Sequence, residues 1–134
     1  MMTSLAESMV LTVDRDSVCA GDDCASHARS FSVPCAASLS ELIHQAKKAC
    51  ELAGISGGKA TWIVEAGGYD GMPIAVVAQQ WDEARALIPG STTVESLFAN
   101  LEKQLFFKYW CQANPETVFD ALLSNSPLPS RYAA

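Results

Sequence analysis

The sequence is short of basic residues. It holds nine lysines and arginines against fifteen aspartates and glutamates, a net charge of −6 at neutral pH. Phosphate contacts need clustered cations, so this balance argues against a nucleic-acid binder. Long apolar runs are also missing. None approaches the roughly 18 residues of a membrane helix, and no membrane partner is expected. The opening MMTSLAES lacks a basic region followed by an apolar stretch, so it does not read as a secretory signal. Five cysteines are an odd number and make no small secreted framework. Reduced thiols in the cytoplasm are the simplest expectation.

Catalytic signatures are lacking as well. The stretch GISGGK does not have the G-x-x-x-x-G-K-[ST] spacing of a phosphate loop, and it precedes a strand instead of a helix. No nucleophile signature flanks a cysteine, and no pair of carboxylates falls in a recognisable cleft. The expectation is a non-enzymatic protein without a cofactor.

What is present is a globular composition. Of 134 residues, 49% are apolar and 18% charged, enough for one domain with a hydrophobic core and too little for two. The ordered core is expected over about residues 9–124.

Met9 to Val18 alternates, with Leu11 and Val13 on one face and Thr12, Asp14 and Asp16 on the other, as a half-buried strand does. CAGDDC supplies turn residues, and His27–Val33 returns as the second strand of a hairpin, stopped by Pro34. Ser38-Leu-Ser-Glu41 is a capping box ahead of an apolar stripe of Leu39, Leu42, Ile43, Ala46, Ala49 and Cys50, so a helix follows, ending at Gly54.

The most apolar stretch is KATWIVEAGGYDGMPIAVVAQQW. It predicts strands over Lys59–Ala66 and Met72–Trp81, joined by a glycine-rich turn and placed at the middle of the sheet. Ala84–Ile88 predicts a short strand. Thr92-Thr-Val-Glu95 repeats the capping box before a second helix through Leu101. Leu105–Trp110 is rich in Phe, Tyr and Trp, which favours a strand, with prolongation of the helix as the alternative. Asn114-Pro115 opens a last helix, and PLPSRYAA reads as a frayed tail.

The fold class is thus α+β, a mixed sheet with a ββαββ core and two C-terminal helices. Over residues 9–88 that element order resembles the β-grasp, or ubiquitin-like, arrangement, which implies a helix packed across a mixed sheet. The carriers of that group end in Gly-Gly, whereas this chain ends Arg-Tyr-Ala-Ala.

Three groups of residues are candidates for function. Cys19, Cys24, His27 and Cys35 have the spacing C-x4-C-x2-H-x7-C. Zinc takes thiolate and imidazole, but the first gap is wide and Cys35 lies beyond the second strand, so no metal site is assigned. Cys19 and Cys24 could also face each other and pair. The second group is acidic: residues 1–26 hold five carboxylates against Arg15 alone, and Asp14, Asp16, Asp22 and Asp23 cluster on the first hairpin. The third lies along the central stretch, with Asp70 in its turn and Trp81 at its end just before Asp82 and Glu83. An indole ringed by carboxylates is the kind of anchor that selects a basic protein.

A small, acidic α+β chain of this kind resembles the immunity proteins of bacterial polymorphic-toxin and contact-dependent inhibition systems. The resemblance is one of type. It implies a cytoplasmic toxin inhibitor that neutralises a cognate toxin domain, in many cases a basic nuclease, by protein–protein interaction. Asp14, Asp16, Asp22, Asp23, Asp70, Trp81, Asp82 and Glu83 are the expected contacts. The alternatives are a β-grasp-like interaction or scaffold module with an unrelated protein partner and, after it, a small Cys/His metal-binding protein using the Cys19–Cys35 region.

Overall fold

The computed structural model describes residues 7–16, 28–52 and 58–130. The chain forms β1 (Ser8–Arg15), β2 (Arg29–Pro34), α1 (Leu39–Ala49), β3 (Thr61–Ala66), β4 (Met72–Ala78), β5 (Arg85–Ala86), α2 (Val94–Leu97), β6 (Gln104–Tyr109) and α3 (Pro115–Leu123). The six strands make one sheet in the order β2-β1-β6-β3-β4-β5. Only β1 and β6 run parallel; every other neighbouring pair is antiparallel. The protein is therefore an α+β domain with a mixed, β-grasp-like sheet.

The aromatic segment at 105–110 is a strand, and it does more than extend the sheet. β6 inserts between the two hairpins, pairing with β1 on one side and β3 on the other. The centre of the sheet is accordingly shared by β6 and β3, where the sequence pointed to the second hairpin alone. Phe107 on β6 is fully buried. All six residues of β3 are buried, as expected of a strand covered on both faces.

Each helix starts where a side chain can take an orphan N–H. Ser38 Oγ accepts from the Glu41 N–H at 3.2 Å, and Asn114 Oδ1 accepts from Glu116 and Thr117 at 2.9 and 3.1 Å. The cap of α2 is Thr93, one residue later than the capping box predicts, because Thr93 Oγ1 accepts from Ser96 N. That helix makes a single turn. Its expected continuation through Leu101 is replaced by a descent into β6, during which Leu101 still packs on the core.

Other boundaries shift for identifiable reasons. Pro34 ends β2 as its last residue, a position that an edge strand allows to proline. Cys35 N bonds Glu7 O, so odd-numbered residues of β2 bond inward and the missing Pro34 N–H falls on the free side. β4 ends at Ala78, where a turn closed by Trp81 N to Ala78 O at 3.0 Å begins. The strand expected over Ala84–Ile88 shrinks to Arg85–Ala86. The expected Gly54 stop lies outside the described residues, and α1 ends earlier with Cys50 as its C-cap. The start of the tail is tied down, since Leu128 packs beside Trp110 and Pro129 O accepts from Trp110 Nε1 at 2.8 Å.

The two faces of the sheet are covered unequally. On one face, α1 lays Leu39, Leu42, Ile43 and Ala46 against Leu11, Val13, Trp62, Val64, Leu105 and Phe107. On the other, α3 covers only the β3–β4 side, where Ile63 and Val76 pack with Ala113 and Val118. The β2–β1–β6 side of that second face carries no helix among the described residues. Val10, Thr12, Ser30, Ser32 and Gln104 are exposed there, and Asp14 and Phe106 are half-buried.

Candidate functional site

The open half of the second face ends at the turn between β3 and β4, and that turn is built to hold a shape. Gly67 and Gly68 take φ of 96° and 110°, and Asp70 takes 61°, a left-handed conformation that aspartate tolerates better than most residues. The Asp70 N–H donates to Glu65 Oε1 at 2.9 Å. From the neighbouring strand, Lys108 Nζ reaches Glu65 Oε2 at 3.2 Å and also the Asp70 carboxylate. Between these charges stands Tyr69. Its ring meets Phe106 edge-on at 4.9 Å between centroids, and Lys108 Nζ lies 4.7 Å from its centre.

Burial shapes the electrostatics of this cluster. The Glu65 carboxyl is pushed up by burial, against the opposing pull of Lys108 and of the Asp70 N–H. For Lys108, burial works downward, but hydrogen bonds to Asp70 and Glu65 outweigh it and the ammonium titrates above its ordinary value. A carboxyl with a raised pKa can mark a general acid. Here both Glu65 oxygens are engaged, one by an ammonium and one by a backbone N–H, which suits a lock on the turn better than proton transfer. Lys108 also keeps Glu65 from being an unpaired buried charge.

The acidic residues proposed from the sequence separate into several roles. Asp14 sits on the open face, with Oδ1 accepting from the Arg15 N–H at 2.8 Å. Asp16 follows β1, and its carboxylate accepts from the Tyr109 N–H at 2.9 Å, extending the β1–β6 ladder. Asp22 and Asp23 lie outside the described residues. Asp70 joins the lock described above. Trp81 is not the free indole that the sequence implied. It is half-buried beside the α3 cluster, and the Arg85 guanidinium lies 4.1 Å from the ring centre. Asp82 and Glu83 are exposed and line a shallow cleft of about 210 Å³, with His44 and Lys47 of α1 among its other walls.

Of the cysteine–histidine set, Cys19, Cys24 and His27 lie outside the described residues, and Cys35 is half-buried. Among the described residues no group of three or more potential metal ligands comes together. Cys50, the C-cap of α1, is buried, and desolvation pushes its thiol up to about 11, which makes it a poor nucleophile.

Sequence reasoning missed Glu65, Tyr69, Phe106 and Lys108. A signal for the first was available. Glu65 is the one charge in the strand TWIVEA, and a carboxylate in an otherwise apolar strand requires a cation from elsewhere in the fold. Nothing in the sequence says that the cation is Lys108, 43 positions away, since the β3–β6 pairing that joins them has no local signature.

Among the described residues no helix is long and apolar enough to cross a membrane. Comparison of the chain with protein-family models, with curated protein sequences and with solved structures finds no match.

Proposed function

We propose that the protein is a non-enzymatic binding protein that receives a basic protein domain on the uncovered half of its sheet. The observation that carries this reading is the composition of that half. It combines exposed Val10 and Tyr69 and half-buried Phe106 with the carboxylate of Asp14, while Asp70 is already paired with Lys108. Apolar and aromatic area supplies contact energy, and flanking carboxylates select the sign of the partner. In the specific form suggested by the likeness to immunity proteins, the partner is a toxin domain of nuclease type. The bound protein then occludes the cleft that would take phosphates.

The Trp81 patch supports this reading less. Asp82 and Glu83 share their cleft with a lysine and a histidine. A basic partner would meet mixed charge there.

The test is a pull-down with the protein product of the neighbouring gene, followed by a charge-reversal series against it. Asp14→Lys should weaken binding about tenfold or more, and raised salt should weaken wild-type binding. Asp82→Lys and Glu83→Lys should leave it nearly unchanged. Unchanged binding of Asp14→Lys contradicts the proposal.

A further inference from the structure

A shallow cavity of about 240 Å³ opens on the uncovered face between β1, β6 and the 67–71 turn. Its lining residues include Thr12, Asp14, Ala28, Tyr69, Gln104 and Phe106. Gly68 forms part of the floor and has no side chain to fill the space. A Cβ there would stand 2.7 Å from Gln104 Oε1, so the close seat of that amide depends on glycine. The lining is rich in acceptors and π surface. Lys108, 4.7 Å from the centre of the Tyr69 ring, is tied to Glu65 and Asp70. Arg29 Nη1 donates to the carbonyl of the lining residue Ala28 at 2.8 Å, so a guanidinium of this chain already sits beside the cavity.

We infer that this cavity is a guanidinium subsite that takes one arginine side chain of the partner. The inference rests on the docking reading above and names its anchor. A guanidinium is planar and weakly hydrated, so it can lie against an aromatic ring while its edge donates several hydrogen bonds. Asp14 offers a charged acceptor for a short bond, and Gln104 and Thr12 offer neutral acceptors on the adjoining walls. An ammonium keeps more of its water and has no flat face to stack, so lysine is a poorer fit. A neutral side chain of the same shape would leave the Asp14 carboxylate without a cation.

The experiment is a nuclear magnetic resonance titration of the full chain with N-acetyl-arginine methylamide, followed at the Gln104 side-chain amide and the Tyr69 and Phe106 rings. Parallel titrations use the lysine and citrulline analogues; citrulline keeps the planar shape and lacks the charge. The expected result is saturable shifts at these groups with the arginine compound, several-fold weaker binding of the lysine compound and none with citrulline. Asp14→Asn should weaken arginine binding about tenfold, and Tyr69→Leu, at an exposed position, should weaken it with the fold intact. Equal response to citrulline, no response at these groups, or an unchanged Asp14→Asn titration overturns the subsite. A basic domain that still docks on the open face in that event leaves the docking reading standing. Arginine binding together with charge reversals that do not affect the partner removes the docking reading and keeps the subsite.

Discussion

Lys108 Nζ lies 3.2 Å from Glu65 Oε2, and that ion pair fastens the β3–β4 turn to β6. Because Asp70 bonds to both partners, the position of Tyr69 on the open face depends on the pair. The shape of the uncovered face therefore depends on a buried charge and the group that compensates it.

The pair has a pH signature. Burial raises the Glu65 pKa above its ordinary 4.5, so the folded protein holds that proton more tightly than the unfolded chain does. The resulting stabilisation is complete below the unfolded value and is lost as pH rises through the raised one. Relative to Glu65→Gln, the wild-type protein should lose stability as pH rises from about 4 toward neutrality. Urea denaturation of both proteins across that range checks the sign. A constant difference would mean that burial does not perturb Glu65.

Gly71 should tolerate no side chain. A Cβ there would come within 2.8 Å of Gly68 O and closer still to Ala66 O, both of them backbone atoms. Gly71→Ala should destabilise the protein by more than about 1 kcal/mol and loosen the Tyr69–Phe106 contact. The denaturation midpoint and the Tyr69 ring resonances report the two effects.

Neighbouring phenylalanines on β6 should behave differently. Phe107 is fully buried on the α1 side, whereas Phe106 is half-buried on the open face. Phe107→Ala should cost about 3–5 kcal/mol, a large share of a small domain's total stability. Phe106→Ala should cost clearly less and instead impair partner binding. Equal losses of stability would mean that the open face is part of the core.

Cysteine labelling offers an independent check on burial. Near neutral pH, Cys50 should react with a maleimide far more slowly than Cys35 and Cys111. Its thiol is buried and pushed up to about 11, while the other two are half-exposed. Mass spectrometry of digests after timed labelling gives the order.

Much of the fold was legible because its signals are local. Alternation at Leu11 and Val13, the Ser38 capping box and Asn114-Pro115 each declare their element within a few residues. The place of β6 was not legible. Its parallel pairing with β1 joins Thr12 to Gln104 across most of the chain, and a short aromatic strand looks the same at an edge as at the centre. The candidate site was only partly legible for the same reason. Asp14 and Asp70 stand out as carboxylates on a strand face and in a turn. Their setting, with Tyr69 held against Phe106 by Lys108, exists only once β6 lies beside both β1 and β3. At Trp81 the sequence shows the acidic neighbours Asp82 and Glu83 and gives no warning of Arg85 folding over the ring.

The central claim is that a basic protein docks on the uncovered half of the sheet. Site-specific photo-crosslinking in the native cell tests it most directly, with the photoreactive phenylalanine placed at Tyr69 in one variant and at exposed Lys48 on α1 in another. The account predicts one basic protein crosslinked from position 69, lost when Asp14→Lys is added, and no such product from position 48. The same product from position 48, or an acidic partner at position 69, would contradict it.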